Sequence, residues 1–226
     1  MLQVGGFVPF STTDWPDHLA SVVFVQGCPW RCHYCHNPEL QSRDDSGQWS
    51  WPKLLDRLAQ RHGLLDGVVF SGGEATLDRA LPEAMQAVRH LGLKVGLHTA
   101  GIYPNRLSAA LPFADWVGLD VKGPFETYSS ITGTPNSGAP ARESLARVMA
   151  SGVAYELRTT FHPTLLNEAM LHQMARTLNL VGARKWTIQS YTPPQHGTSA
   201  LGPARHTLPH RLKEQLEAEG IEIVLR

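Results

Sequence analysis

Short runs of apolar residues alternate along the chain with amphipathic segments of helical spacing. Continuous apolar runs bounded by turn signals are typical of buried strands, whereas apolar residues three and four apart are typical of one helix face. The predicted strands cover residues 21–27, 67–70, 94–99, 116–121, 155–161 and 185–191, and a last short run at 221–225 is a candidate edge strand. The predicted helices cover residues 51–60, 81–90, 105–110, 141–150, 168–180 and 206–218. This alternation predicts an α/β chain with a parallel sheet wrapped by helices.

Polar motifs follow the ends of successive predicted strands. They are the segment from Cys28 to Pro38, Ser71-Gly-Gly-Glu74, His98-Thr99, Asp120-Val-Lys122 and Gln189-Ser-Tyr191. In a barrel of parallel strands, functional groups gather at the C-terminal ends of many strands, whereas an open doubly wound sheet concentrates them at one switch point. The distribution therefore favours a curved, barrel-like sheet.

The segments outside this repeat are predicted to be extended or to form loops. Residues 2–20 contain paired glycines and prolines, which favour an extended lead-in that covers the edge of the sheet. Residues 44–47 form a candidate surface turn, and Ser50 is a candidate N-cap of the helix that follows. Residues 129–140 are predicted to be a long polar loop, which either contacts a partner or is an ordinary surface loop.

A chain of 226 residues is most simply one domain, which we divide into a lead-in at 1–20, a core at 21–191 and a C-terminal helix and edge strand at 192–226. Lys plus Arg and Asp plus Glu both number 20, so the net charge is zero with neutral His. This balance argues against a nucleic-acid binder and leaves proteins and small molecules as partners. Residues 1–10 lack the pattern of a secretory signal, and no apolar run is long enough to span a membrane, so we expect a cytoplasmic protein.

All the cysteines of the chain, Cys28, Cys32 and Cys35, lie within eight residues. Three thiols cannot all pair within one chain, and this spacing suits a shared metal better than a disulfide framework. A structural zinc site needs four protein ligands, so it would recruit His33 or His36. An iron–sulfur cube with three cysteine ligands would leave one iron open to another molecule.

The spacing Cys28-x3-Cys32-x2-Cys35, with aromatic Tyr34 before the last cysteine, resembles the signature of the radical S-adenosylmethionine (SAM) enzymes. The longer string at residues 24–39, which ends in Cys-His-Asn-Pro-Glu, resembles the branch that activates glycyl-radical enzymes. Softer similarity along residues 1–40 favours the activating protein of anaerobic ribonucleoside-triphosphate reductase within that branch. The resemblance implies an incomplete six-stranded β/α barrel.

The resemblance also implies an activity. The three cysteines would hold three irons of a [4Fe–4S] cluster, and SAM would bind the fourth through its amino and carboxylate groups. A flavodoxin- or ferredoxin-type donor would supply the electron that splits SAM into methionine and a 5′-deoxyadenosyl radical, which would take a hydrogen from a glycine of the partner reductase. The alternatives are the activation of pyruvate formate-lyase or another glycyl-radical enzyme and, outside this class, a non-catalytic zinc module. Since no further cysteine is present, additional clusters are excluded.

The resemblance implies which residues of this chain would bind the cofactor. It implies no catalytic residue beyond the cluster and the cofactor. The implied set is Tyr34, Gly72, Gly73, Glu74, Thr99, Asp120, Lys122 and Arg158. Glycines at the end of a strand let the backbone approach a ligand, here the methionyl amino group of SAM, although Gly-Gly is also an ordinary turn. Glu74 is predicted to be a brace of this loop rather than a catalyst.

Asp120 and Lys122 are two residues apart on a strand, so their side chains share a face and either pair with each other or bind the cofactor. In the resembled branch, Lys122 would meet the methionyl carboxylate and Asp120 the ribose or a nearby cation. The position of His98 usually carries Asp in related enzymes, where it helps to hold a monovalent cation. An imidazole removes that anionic ligand, so water or His98 itself would have to fill the place.

Arg158 follows the same inward pattern and either orients the cofactor or partner, or pairs with Glu156 or Asp120. The end of the last long strand lacks the His that some relatives use near the adenosyl group. Gln189 and His196 are the two candidates to replace it.

Overall fold

The computed structural model describes residues 1–43, 49–193 and 201–226, and within these ranges one sheet holds eight strands. The strands are β1 (Val4–Ser11), β2 (Ala20–Val25), β3 (Gly67–Gly72), β4 (Lys94–Thr99), β5 (Trp116–Asp120), β6 (Ala154–Phe161), β7 (Lys185–Ser190) and β8 (Glu222–Leu225). The helices are α1 (Trp51–Ala59), α2 (Leu81–His90), α3 (Pro104–Ala110), α4 (Tyr128–Thr132), α5 (Gly138–Ala150), α6 (Glu168–Leu180) and α7 (His210–Glu217). No helix in the described part of the chain has the length and apolarity needed to cross a membrane.

The strands lie side by side in the order in which they follow along the chain. Strand β1 pairs antiparallel with β2, and every later pair is parallel. A strand order without reversal has no switch point of the kind found in doubly wound sheets. Strands β1 and β8 are the two ends of the sheet. The predicted α/β fold, a partial barrel of parallel strands surrounded by helices, is therefore confirmed, and the short last strand lies at the edge as predicted.

The two faces of the sheet bury different cores, because successive residues of a strand point to opposite sides. On the outer face, a large apolar core fills the space between the strands and the helices, and it includes Val23, Phe70 and Leu97. On the inner face, a smaller apolar cluster of Trp15, Ala20, Val22, Val69 and Trp116 fills one end of the partial barrel. The polar motifs occupy the other end of the inner face.

The lead-in covers the edge of the sheet through β1, as predicted, but its second half also enters the barrel. The indole of Trp15 stacks on that of Trp116 with a centroid distance of 5.7 Å. A Cβ atom at Gly67 or at Gly96 would lie 2.9 Å from the Trp15 ring, so both inward positions need glycine to make room for it. Trp15 therefore closes the inner face below the polar motifs.

The predicted polar loop at residues 129–140 is wrong at both ends, and only residues 133–137 form a connection between helices. Tyr128–Thr132 is a short helix, and α5 already begins at Gly138. The reason is that Tyr128 and Ile131, three apart on one helical face, are both fully buried. The polar residues between these two buried side chains made the segment resemble a surface loop in the sequence.

Two further local predictions need adjustment, and one lies outside the described residues. Ser50 occupies the N-cap position of α1, but its side chain makes no capping hydrogen bond. The last helix begins at His210 rather than at residue 206. Pro209 is extended, and a proline disfavours helical backbone at the residue before it. The predicted turn at residues 44–47 lies outside the described residues. The division of the chain into 1–20, 21–191 and 192–226 stays a prediction.

Candidate active site

The C-terminal ends of the parallel strands surround one polar cleft, which holds most of the predicted site residues. It is lined by the three cysteines and by Tyr34, Gly72, Gly73, Thr99, Asp120, Lys122 and Arg158. Glu74, the remaining residue of the predicted set, is not part of the lining that the structure describes. Residues more than a hundred positions apart therefore meet at this rim because parallel strands present the same ends to it.

The cysteine loop begins where β2 ends, and hydrogen bonds close it at its base. Gly27 takes a left-handed φ of +104°, which turns the chain out of the strand. The N–H of Gly27 then donates to the carbonyl of Leu40 at 2.8 Å, and the N–H of Cys28 donates to that of Gln41 at 3.1 Å. The loop therefore projects from the sheet on a fixed base, with all three thiols free and partly buried.

The surroundings of the thiols disfavour bare thiolates. Burial, and after it the negative charge of Glu74, raises the pKa of Cys28 to about 12. Burial also raises the pKa of Cys32. A bound cationic metal centre reverses this balance, since coordination displaces the thiol proton. Three soft thiol donors on one cleft therefore fit a metal group.

The number of donors bears on the two kinds of metal group considered above. A structural zinc site needs four protein ligands on one ion, so it would have to recruit His33 or His36 beside the cysteines. An iron–sulfur cube with three cysteine ligands is complete on the protein side and leaves one iron open to another molecule. The three thiols of the cysteine loop fit such a cube.

Asp120 is the centre of a charge cluster at the end of β5, in which the two cations are buried and Asp120 itself is partly exposed. Its Oδ2 lies 3.1 Å from the ammonium of Lys122, and its Oδ1 lies 3.0 Å from the guanidinium of Arg158. Burial alone would raise the pKa of Asp120, but the two neighbouring cations outweigh it and lower the pKa to about 2. Asp120 likewise keeps the pKa of Lys122 well above its ordinary value, although burial acts in the opposite direction. Since two cations share one carboxylate, the cluster has positive charge available for an anionic ligand.

Of the two carboxylates that the sequence offered to Arg158, the structure pairs it with Asp120 rather than with Glu156. Its guanidinium contacts Asp120, whereas Glu156 pairs with Arg226 at 3.0 Å on the same inner face. Gly118 lies beneath the guanidinium, since a Cβ there would be 2.9 Å from the Arg158 Cζ atom. The glycine in β5 thus makes room for the arginine of β6.

His98 lies on the other side of Arg158. Its Nε2 is 2.7 Å from the carbonyl of Asp14 and 3.0 Å from Arg158 Nη1, and its Nδ1 is 3.3 Å from the Ser71 hydroxyl. Burial, and then the charge of Arg158, lower the pKa of His98 to about 3, so the ring is neutral. A neutral ring with its proton on Nε2 donates to Asp14, which is the shorter contact, and then cannot accept from Arg158. His98 therefore ties the lead-in to the cleft.

The Gly-Gly turn packs against the base of the cysteine loop. A Cβ atom at Gly72 would meet the backbone of Val25, and one at Gly73 would meet the carbonyl of Gly27. Both glycines therefore permit close packing within the protein, in addition to lining the cleft.

Glu74 braces two rim loops. It is 1% exposed, and its carboxylate accepts hydrogen bonds from the backbone N–H and hydroxyl of Thr76, the hydroxyl of Thr99 and the N–H of Ala100. All these partners are donors, so the carboxylate is fully used within the protein. This arrangement is that of a brace between the ends of β3 and β4.

Sequence reasoning missed several residues of the cleft. Asp14, Trp30 and Ser71 line it, and Asp14 comes from the lead-in that was predicted only to cover an edge. A bulky Trp15 within an otherwise polar turn was the signal that this segment is buried. Gln189 also lines the cleft, whereas His196, the other candidate from the last long strand, lies outside the described residues.

The comparison with protein families identifies the superfamily to which this chain belongs. The family model of the radical SAM superfamily matches residues 22–181, which include the cysteine loop and the ends of β2 to β6. The chain belongs to the radical SAM superfamily. As a member, it is an enzyme that uses a [4Fe–4S] cluster and SAM, as the sequence predicted.

Curated relatives narrow the likeness within the superfamily. The chain is 27% identical over 199 residues to a Methanocaldococcus jannaschii protein provisionally named a glycyl-radical enzyme activating enzyme, over 84% of this chain and 80% of the relative. It is 32% identical over 153 residues to the pyruvate formate-lyase-activating enzyme of Clostridium pasteurianum, over 65% of this chain and 63% of that protein. Both names belong to the activating branch of the radical SAM superfamily, which confirms the predicted branch.

Among solved structures, Streptococcus suis SuiB bound to S-adenosylmethionine matches with a TM-score of 0.68 at 12% identity. The match covers 89% of this radical SAM enzyme and 48% of the SuiB chain. At this level of identity the likeness concerns the fold alone, and it agrees with the partial barrel described above.

Proposed function

We propose that this radical SAM enzyme activates a glycyl-radical enzyme by using SAM to generate a radical on a glycine of that partner. One observation carries the proposal: the thiols of the cysteine loop and the charge cluster of Asp120, Lys122 and Arg158 line the same cleft. The names of the two curated relatives support this choice within the superfamily.

In this proposal, some residues of the cleft hold the cluster and others bind SAM. Cys28, Cys32 and Cys35 would hold three irons of the cluster, and the bound cluster supplies the electron that cleaves the SAM sulfonium. Lys122 would meet the SAM carboxylate, because its buried ammonium shares a single carboxylate with Arg158 and has positive charge to offer. The backbone groups of Gly72 and Gly73 would face the amino group of SAM. Tyr34 lies beside Lys122, with the ammonium 5.3 Å from its ring centre, and would order this end of the cleft.

The residues present do not fit a monovalent cation beside Asp120. The guanidinium of Arg158 already contacts Asp120 Oδ1 and lies 3.0 Å from His98, so a fixed positive charge occupies this position. His98 itself is neutral and is held by Asp14. We propose that activity in this protein needs no such cation.

Anaerobic reconstitution with iron and sulfide tests the proposal. We expect a brown protein whose chromophore bleaches on reduction and which cleaves SAM, and each single Cys→Ala substitution should abolish cleavage because the cube loses a ligand. The Lys122→Met variant is the matched control for iron content and colour, which it should retain because it alters the same cleft without removing an iron ligand. A colourless protein that binds one zinc instead would refute the proposal, and so would full SAM cleavage by any cysteine variant.

Anaerobic ribonucleoside-triphosphate reductase is the partner that we propose, on the similarity along residues 1–40. Pyruvate formate-lyase is the second candidate, because relatives at 32% identity carry its activating enzyme's name. A flavodoxin- or ferredoxin-type protein would be the electron donor. Incubation of the reconstituted enzyme with each candidate, followed by electron paramagnetic resonance (EPR) spectroscopy of the glycyl radical, decides between them.

A further inference from the structure

Helix α4 contacts the middle of the cysteine loop through its backbone. The N–H of Arg31 donates to the carbonyl of Thr132 at 2.8 Å, and the N–H of His33 donates to that of Ile131 at 3.3 Å. Carbonyls in the last turn of a helix lack donors within the helix, so these bonds satisfy groups that would otherwise be unpaired. The two bonds lie on either side of Cys32 along the loop.

Gly133 allows this close approach. It ends α4 with a left-handed φ of +63°, and a Cβ at this position would lie 3.0 Å from the carbonyl oxygen of Arg31. A larger residue would therefore meet both backbone strain and the cysteine loop.

Tyr128 connects the same helix to Lys122. Its side chain is fully buried, and its hydroxyl accepts a hydrogen bond from the backbone N–H of Lys122 at 2.8 Å. Its ring packs edge-on against Trp30, which lies between Cys28 and Cys32, with a centroid distance of 5.9 Å. One side chain thus contacts both the cysteine loop and the end of β5.

We propose that residues 128–133 form a clamp in which Tyr128 and Gly133 are positioning residues that fix Cys32 relative to Lys122. The consequence for catalysis rests on the proposed function, in which Cys32 holds an iron and Lys122 meets the SAM carboxylate. Groups that bind one ligand from two loops must be held within about 0.5 Å of their working geometry, and the clamp contacts both of these loops.

Alkylation of the cysteines in the metal-free protein tests the clamp without reference to the cofactor. In Gly133→Ala, we expect iodoacetamide to modify Cys32 at least about three-fold faster than in the wild type, because the loop opens locally more often. Gly152→Ala is the matched control, since Gly152 has a similar φ of +73° but no atom within 4 Å of its would-be Cβ. Equal Cys32 rates in the two variants would overturn the clamp.

Tyr128→Phe tests the link to Lys122 in the reconstituted enzyme. We expect its Kd for SAM to rise about ten-fold while iron content stays unchanged, because the Lys122 N–H loses its acceptor. The EPR spectrum of the reduced cluster should also change less on SAM addition than in the wild type. Tyr191→Phe is the control, since Tyr191 is equally buried and its hydroxyl donates to the Gly202 carbonyl instead. Equal SAM affinity in the two variants would refute the role of Tyr128.

The two experiments separate the clamp from the proposed function. If the wild type binds neither iron nor SAM, the proposed function fails, and the alkylation rates still decide whether the clamp exists. If the wild type is active but the variants match their controls, the clamp fails and the proposed function stands.

Discussion

Replacing Lys122 by Met removes a buried ammonium from the cleft and retains a side chain of similar length. The ammonium lies 3.1 Å from Asp120 Oδ2, and 9% of the Lys122 side chain is exposed. After the substitution, Asp120 keeps Arg158 as its partner. The change therefore removes one cation from the cleft without leaving the carboxylate unpaired.

We expect the Lys122→Met substitution to lower both the affinity for SAM and the stability of the protein. A hydrogen bond to a charged group contributes about 1.5–3 kcal/mol, so the Kd for SAM should rise about 10- to 150-fold if Lys122 meets the SAM carboxylate. The stability of the metal-free protein should fall by less. The pKa of Asp120 falls from 3.8 to about 2, which corresponds to at most about 2 kcal/mol. This amount is divided between two cations and weakened by solvent, since 32% of the Asp120 side chain is exposed, which leaves about 1 kcal/mol for Lys122.

Equilibrium SAM binding to the reconstituted variant measures the loss of affinity, and urea unfolding of the metal-free protein measures the loss of stability. Lys185→Met is the matched control, because Lys185 lies 3.1 Å from Glu222 but both side chains are more than half exposed. Its effect on SAM binding should be negligible, and its effect on stability should be below about 1 kcal/mol. Wild-type SAM affinity in Lys122→Met would refute the assigned role. Loss of iron from this variant would contradict it as well.

Three further predictions follow from the same cleft. The pKa of His98 is lowered from 6.5 to about 3, so the stability that its neutral form contributes is present above pH 6.5 and is lost as the pH falls towards 3. Urea unfolding should therefore show that the wild type loses about 1.4 kcal/mol more than His98→Gln for each pH unit within that window. Glu74→Gln should destabilise the metal-free protein by about 1–3 kcal/mol, measured by denaturant unfolding, because an amide cannot accept from all four donors. SAM cleavage should be equal in potassium, sodium and choline buffers, whereas Arg158→Gln should reduce it; a strict potassium requirement of the wild type would contradict the role of the guanidinium.

Much of the fold could be predicted because its signal is local. A strand buried on both faces is a continuous apolar run, and the residue at which that run stops marks the rim of the sheet. The cysteine spacing, the Gly-Gly turn and the pair Asp120 and Lys122 all stand at such stops. Their convergence on one cleft could therefore be expected, while their roles towards SAM stay predictions.

Other features depend on distances between strands, which the order of residues does not contain. The sequence offered Arg158 two candidate carboxylates, Glu156 and Asp120. Asp120 is the partner because the pairing of β5 with β6 places it directly beside Arg158. The burial of Trp15 depends on glycines in two strands that follow it by more than fifty residues. Residues 129–132 were mistaken for part of a polar loop because the helix that they form is held by Tyr128, which packs against Trp30 of the distant cysteine loop.

By itself, the sequence determined the alternation of strands and helices, the family and the candidate metal ligands, since each of these depends on residues that are close along the chain. Only the tertiary structure decided which charges pair, which segment enters the barrel and what holds the cysteine loop in place. Those outcomes depend on which side chains the closing sheet brings within a few ångströms of each other, and burial then makes each such contact strong enough to matter.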